Sequence, residues 1–543
     1  MRPDGAPGAG TLSDSSDSRL VRSAGLAGTA TFASRLLGLA RESVQAAIFG
    51  ASNEMDAFLV AFRIPNLARD LFAEGAMNAA FVPTFTRYLT LRGRVDAWRL
   101  GNNVINALLC ASGLLVVVGI IFARPLVTAY AGDYAAVPGK LDLTVELSRI
   151  LMPFLTLVAI AAAMMGMLNS LHHYFIPALS PAMFNIAAIV CAVGLVPLMP
   201  ALGWPRIMAV AIGAILGGMG QILVQWWPLR REGFRYRPTL DIGDEGLRRI
   251  LILMGPGTMG LAATQVNVLI NTMLATSQGT GAVSWLTYAF RLMYLPIGLF
   301  GVSLATAVLP QVARQAAVGD HAAMRGTVSR GLALMLAVNV PAMVGLIVLA
   351  DPITRLLFER GQFLASDTTA TANALRFYAV GLVGYSAVRI SAPVFYALGR
   401  NGVPVAVGFV SVAVNVIASL GLVTTLGFRG LALSTSIGAL INGGALIWLL
   451  RGPLRGISGR HLLSTFVKSL VAAAVMGAVA LAVERTATRM VGNERLISQI
   501  ICLSAAIGAG LLSLAGAARI LRIREFDEAF ALTGGRVVRR LFR

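Results

Sequence analysis

The sequence predicts an all-α polytopic membrane protein with about fourteen transmembrane helices: two six-helix lobes related by a pseudo-two-fold axis along the membrane normal, plus two extra C-terminal helices. Three observations carry this expectation. Hydrophobic residues fill 57% of the 543 positions and charged residues only 13%, with a mean hydropathy of +0.75, far more apolar than a soluble domain of this length. Apolar runs of roughly 20 residues recur from end to end, separated by short charged or Pro/Gly-rich connectors. Sliding the chain along itself by 227 residues brings Pro83 onto Pro310, Pro125 onto Pro352, Arg149 onto Arg376 and Pro177 onto Pro404. Four landmarks at one offset, with similar hydropathy around them, point to duplication, and an even number of spans per copy inserts both copies the same way up.

Taken in order, residues 1–22 are polar and rich in Gly, Ser and Asp, and read as a disordered cytoplasmic tail without the apolar core of a secretory signal. An N-lobe follows over 23–228, with spans near 24–49, 57–86, 101–123, 143–169, 178–200 and 206–228. Residues 229–246 form a cytoplasmic linker. The C-lobe covers 247–450, with spans near 247–276, 282–312, 327–350, 371–398, 403–425 and 430–450. Helices near 462–483 and 497–519 occupy 451–520, outside the repeat, and 521–543 is a basic cytoplasmic tail. Prolines at 65, 153, 256, 296, 341 and 393 lie inside spans, where neighbouring helices satisfy the freed carbonyls.

A formal charge of +20 suggests nucleic acid, but the basic residues are spread between helices and form no single stripe. They concentrate in alternate connectors, such as Arg87, Arg92, Arg94 and Arg99, then Arg230, Arg231, Arg235 and Arg237. The positive-inside rule then places both termini in the cytoplasm, and no nucleic-acid partner is expected. Cys110, Cys191 and Cys502 fall in apolar runs, and the four histidines lack metal-ligand spacing, so neither a disulfide framework nor a metal site is expected. "GPGTMG", Gly255 to Gly260, matches a dinucleotide fingerprint literally but has no strand or βαβ context. The two lysines, Lys140 and Lys468, sit in no Walker loop, and no catalytic constellation is recognisable, so no enzyme is expected.

The polar inventory inside the spans is harder to explain. Helix 1 holds Ser34, Arg35, Arg41 and Glu42. Helix 2 and its ends hold Asp56, Arg63, Asn66, Arg69, Asp70 and Glu74, and spans 7 and 8 add Asn267, Asn271 and Arg291. An arginine at the bilayer centre costs about 2.5–3.5 kcal/mol on insertion scales. Local pairing, Arg41 with Glu42 or Asp56 and Arg69 with Glu74, or snorkelling to an interface accounts for individual residues. For the set, basic groups exceed nearby acids, and a surplus of buried guanidinium calls for an anionic ligand whose oxygens the planar fork receives in pairs. Ser34, Gly38 and Arg41 recur at i, i+4 and i+7 and share one face, open to a ligand or a helix.

"SRLLGLARESVQAAIFGASNEMDAFLVAFRIPNLARDLFAEGAMNAAFVPTF", Ser34 to Phe85, resembles the opening of the MurJ/MviN family of lipid II flippases, in the multidrug/oligosaccharidyl-lipid/polysaccharide exporter superfamily. The resemblance implies export of undecaprenyl-pyrophosphate-linked disaccharide-pentapeptide across the bacterial cytoplasmic (inner) membrane, through a cationic central cavity. It also implies that the two extra helices form a groove for the lipid tail. By motif, Arg35 and Arg41 match the family's helix 1 arginines, and Asp56, Asn66, Arg69 and Glu74 its helix 2 positions. Arg291 matches a helix 8 arginine commonly written "YADRL", with Phe290 in place of the Asp. The resemblance thus implies substrate contacts from Arg35, Arg41, Arg69, Arg291, Ser34 and Asn66, with Glu42, Asp56 and Glu74 in support. Some relatives look to have a sodium site with carboxylates on helices 7 and 11. Asn271 and Ser419 stand at those positions here, beside Asn415 and Thr435, which leaves at most a weak cation site.

The expected activity is therefore lipid II flipping by alternating access, without a cofactor. Coupling to the membrane potential or an ion gradient stays open, and lipid II, membrane lipids and proteins of peptidoglycan synthesis and division are the expected partners. Two rivals stay open at this point: export of another lipid-linked oligosaccharide or of drugs, and a non-transporting cell-wall scaffold.

Overall fold

The computed structural model describes residues 11–70, 76–298 and 302–526. Among them the chain forms α1 (Thr11–Phe49), α2 (Asn53–Arg69), α3 (Ala76–Leu91), α4 (Arg94–Ile121), α5 (Ala123–Ala131), α6 (Lys140–Leu151), α7 (Phe154–Ser170), α8 (Phe175–Gly194), α9 (Met208–Arg231) and α10 (Glu245–Thr276). There follow α11 (Ala282–Pro296), α12 (Val302–Ala317), α13 (His321–Val348), α14 (Ala350–Phe358), α15 (Ala365–Val380), α16 (Leu382–Ala397), α17 (Gly402–Leu426), α18 (Phe428–Leu450), α19 (Gly459–Val491) and α20 (Leu496–Ile520). No strand occurs among the described residues.

Among the described residues, nine helical segments are long and apolar enough to cross a membrane, ten if α15 and α16, which meet at a 41° bend, make one span. Continuous α6 and α7, Lys140–Ser170, count once. The four expected spans outside that count, near 24–49, 57–86, 247–276 and 282–312, are helical where described, and they hold Arg35, Arg41, Arg69 and Arg291. Polarity separates them from the plainly apolar helices.

The 227-residue repeat extends to helix boundaries. Arg94–Ile121 and His321–Val348 are offset by that interval at both ends, as are Ala123–Ala131 and Ala350–Phe358. The chain divides into two compact units, Met1–Phe49 with Asn53–Gln265, and Gly50–Ser52 with Val266–Arg543. In the first, Phe81 and Phe85 of α3 pack with Leu100 of α4, Met167 of α7 and Leu229 of α9. In the second, Leu332 and Met335 of α13 pack with Ile390 and Phe395 of α16 and Leu450 of α18.

Sequence inspection missed how the connector after α9 is held. Asn102, Asn103 and Asn106 of α4 are buried, and their side chains satisfy the backbone of residues 235–241. Asn102 donates to Arg235 O at 2.9 Å and accepts from Arg237 N at 3.0 Å, and Asn103 donates to Asp241 O at 2.7 Å and accepts from Asp241 N at 2.8 Å. Asn106 donates to the Arg237 and Thr239 carbonyls at 2.8 and 2.9 Å, and Tyr236 OH donates to its Oδ1 at 2.7 Å. Six backbone groups of this connector, which has no regular secondary structure, are thereby paired by a helix face. At the start of the same connector, Glu232 accepts from Arg94 at 3.1 Å and meets His173 Nε2 at 3.0 Å. The hydrogen bond from His173, helped by the nearby Arg94 charge, holds the Glu232 carboxyl below the usual carboxylate range.

Candidate functional site

In the first unit, α1 lies along α8. Asn185 Nδ2 donates to Ser34 O at 3.1 Å, and a Cβ built on Gly38 would stand 3.6 Å from the same amide. The Ser34–Gly38–Arg41 face is thus covered by a helix. Arg41 ends that face with its guanidinium 5.0 Å from the Phe184 ring centroid and its Nη2 donating to Glu42 Oε1 at 3.0 Å. Phe184 belongs to an aromatic cluster with Phe62 of α2 and Phe154 of α7, at centroid distances of 5.8 and 5.5 Å. The cluster gives the guanidinium an apolar and π-rich wall. Arg35, two turns earlier, is exposed.

On α2, Arg69 directs Nε and Nη2 to Asp70 Oδ1 at 3.0 and 2.7 Å, and Asp70 Oδ2 accepts from Gln265 at 3.1 Å. Arg69 therefore has a carboxylate next to it in sequence, while Glu74, the partner expected for it, lies outside the described residues. Asn66 donates to Phe62 O at 3.0 Å and leaves its buried Oδ1 without a partner. Asp56, expected in a supporting role, takes part in a buried ion pair. It is fully buried, and Lys140 Nζ of α6 reaches its Oδ2 at 3.1 Å while lying 4.0 Å from the centroid of the Tyr134 ring. The pairing of Arg41 with Glu42 considered from the sequence is formed. Lys140 was weighed only as a Walker-loop lysine, and its partner stands 84 positions away, beyond the reach of any local motif.

In the second unit, Arg291 is exposed on α11. Phe290, in the motif's Asp position, packs 5.4 Å from the rings of both Tyr294 and Tyr378 and 6.3 Å from Tyr385. The polar positions of α10, α17 and α18 bond to one another. Asn271 Nδ2 donates to Asn267 Oδ1 at 2.8 Å and Asn415 Oδ1 at 3.0 Å, and Ser419 donates to Asn271 Oδ1 at 3.2 Å and lies 2.6 Å from Ser434 Oγ. Thr435 donates to Leu431 O on its own helix at 2.8 Å. These side-chain amide oxygens already accept, Asn415 Nδ2 is a buried donor without a partner, and the set carries no negative charge. A tightly held cation does not fit it. Among the described residues, no group of three or more His, Cys, Asp or Glu is arranged to hold a metal ion.

Long apolar helices in two internally repeated units, with arginines and amides carried in the most polar of them, define a multi-pass membrane transporter. Its fold is similar to that of a MATE family multidrug resistance transporter of the MOP superfamily solved in an inward-facing conformation, with a TM-score of 0.66, 16% identity and coverage of 78% of this chain and 94% of that one. The family model described as lipid II flippase MurJ matches residues 45–498, and the chain belongs to that family of transporters, which are not enzymes. It is 34% identical over 498 residues to the lipid II flippase MurJ of Burkholderia cenocepacia, covering 90% of this chain and 95% of that protein. A structure titled lipid II flippase MurJ in an inward closed conformation superposes with a TM-score of 0.74 at 25% identity, covering 91% of this chain and 99% of that one.

Proposed function

We propose that this chain carries lipid II from the inner to the outer leaflet of the bacterial cytoplasmic membrane by alternating access. Both termini lie in the cytoplasm, 23–228 and 247–450 act as the moving lobes joined by the linker 229–246, and 451–520 provides the groove for the polyprenyl tail. Arg35, Arg41, Arg69 and Arg291 attract the pyrophosphate, with Ser34 and Asn66 as polar contacts and Glu42 and Glu74 in support. The observation that carries the reading is a surplus of positive charge. Arg41 and Arg69 pair with carboxylates beside them in the chain, whereas Arg35 and Arg63 have no carboxylate partner among the described residues. Guanidinium groups in apolar helices are stable where they face water or an anion, and a pyrophosphate supplies oxygens in the geometry of the fork. Peptidoglycan-synthesis and division proteins are the natural neighbours of such an activity.

The test is conditional depletion followed by measurement of lipid II exposed on the outer face, with plasmid-borne Arg35→Ala, Arg41→Ala and Arg291→Ala. The expected result is loss of exposed lipid II on depletion and failure of each variant to restore it while present in the membrane, with partial rescue by Lys. Unchanged exposure on depletion, or full rescue by all three alanine variants, overturns the proposal. Efflux of cationic amphiphiles without any effect on lipid II marks a drug exporter instead.

A further inference from the structure

One intramembrane arginine has no role in the scheme above. Arg389 lies on α16, eight residues before the helix ends at Ala397, which is ~12 Å along the axis. That exceeds the length of its side chain, so snorkelling to the nearer membrane surface does not explain it. Its direction is set from another helix: Nη2 donates to Tyr294 OH on α11 at 3.1 Å. Tyr294 is in turn held by Phe290 at 5.4 Å and Tyr385 at 6.3 Å between ring centroids. Where the related motif has an Asp, Phe290 therefore supplies a wall that fixes the tyrosine. No Asp or Glu pairs with Arg389 among the described residues, and the residue is exposed.

Beside the guanidinium is a shallow, partly open groove, with Arg389 on one side and Val308, Leu309, Ile390, Pro393 and Val394 on the others. A single cation at the edge of an otherwise apolar slot matches a molecule in which an anionic group is joined directly to hydrocarbon. Saccharide and peptide, polar on all sides, match it poorly. We propose that Arg389, aimed by Tyr294, binds a phosphate oxygen of a polyprenyl-pyrophosphate lipid at the junction where the headgroup meets the chain, with the first isoprene units against the apolar wall. The assignment rests on the lipid II reading above and adds a second-lobe contact and its positioning residue.

Binding to the full chain in nanodiscs, read by native mass spectrometry, tests this with undecaprenyl pyrophosphate, lipid II and the uncharged undecaprenol. Arg389→Ala is expected to weaken both pyrophosphate lipids by about tenfold or more and leave undecaprenol unchanged. Arg389→Lys should fall between, and Tyr294→Phe should weaken the same two lipids by a smaller factor, because the arginine remains but is no longer aimed. Arg389→Gln serves if the alanine variant fails to accumulate. Wild-type binding of lipid II with Arg389→Ala and Arg389→Gln unaltered overturns this assignment alone, as does an equal loss for all three lipids. Failure of the wild-type chain to bind lipid II overturns the functional reading and this assignment with it.

Discussion

Lys140 Nζ sits 3.1 Å from Asp56 Oδ2 with the two side chains only 2% and 0% exposed, so an ion pair is sealed between α2 and the first turn of α6. The Tyr134 ring closes over the ammonium. The repeat places Asp367 at the position corresponding to Lys140, and in the second unit that residue accepts from Trp285 Nε1 at 3.0 Å. Each unit thus ties its second helix to the start of the span that follows its short amphipathic helix, by a charge pair in one and an indole hydrogen bond in the other.

Removing one member of a buried pair leaves the other charge in an apolar setting, a loss of about 3–5 kcal/mol, whereas replacing both by apolar residues is close to neutral. Lys140→Ala should therefore lower the melting temperature of the detergent-solubilised protein strongly, and Asp56→Leu with Lys140→Met should recover most of that loss. Fluorescence-monitored unfolding of the three proteins decides it. An alanine variant that melts with the wild type would mean that the pair contributes nothing to holding α2 in place.

The asparagine ladder makes a different claim, about the connector rather than a span. Asn103→Ala strips partners from both the N–H and the C=O of Asp241, and an unmade buried hydrogen bond costs about 1–3 kcal/mol. Arg235 and Arg237 are exposed on the pinned connector, which gives trypsin two sites that need local release before cleavage. Limited proteolysis of membrane vesicles open to the protease should cut the Asn102→Ala/Asn103→Ala chain here several-fold faster than the wild type. Equal rates would show that the connector is held by other means.

Much of this was legible in the sequence and some was not, for a common reason. Periodic apolar runs and the 227-residue offset depend on local composition, and they foretold α4 with α13 in register, whereas α5 and α14, which carry Pro125 and Pro352, were not expected as helices. Arg41 with Glu42 was readable because the partners are adjacent. Lys140 with Asp56, and Asn102 with Arg235, join segments separated by 84 and 133 residues, and nothing in "VPGKLD" or "GNNVIN" names the other half. Arg69 pairs with the adjacent Asp70, while Glu74, the partner expected for it, lies outside the described residues.

The hydrogen-bonded set around Asn271 yields a test by gain of function. The wild-type chain should melt at the same temperature in sodium chloride and choline chloride, since amide oxygens that already accept from Asn and Ser have no charge to offer a cation. Asn271→Asp with Ser419→Asp places two carboxylates in the same cluster. This variant should be destabilised without sodium and recover with it, by about 2.7 kcal/mol at a hundredfold excess over the dissociation constant. Sodium stabilisation of the wild type would contradict the neutral reading of the cluster.

The two C-terminal helices call for separating a structural role from a lipid role, and the structure supplies one position for each. Gly477 of α19 faces α13, and a Cβ there would stand 2.9 Å from Val344 Cγ1 and 3.2 Å from Val348 Cγ2. Small residues let membrane helices approach in this way. Gly477→Leu overpacks that contact, at about 1–3 kcal/mol, and should lower stability and reduce binding of long- and short-chain lipid II alike. Ala505 of α20 is exposed, with no helix against it to disturb. Ala505→Trp should leave the melting temperature within a degree or so of the wild type, as surface substitutions usually do. If α19 and α20 form the groove for the polyprenyl chain, the added indole should weaken full-length lipid II several-fold more than an analogue with a short tail, because only the long chain extends over that face. Paired binding measurements on the two analogues give the answer, and an Ala505→Trp chain that binds both as the wild type does would leave these helices with the buttressing role alone.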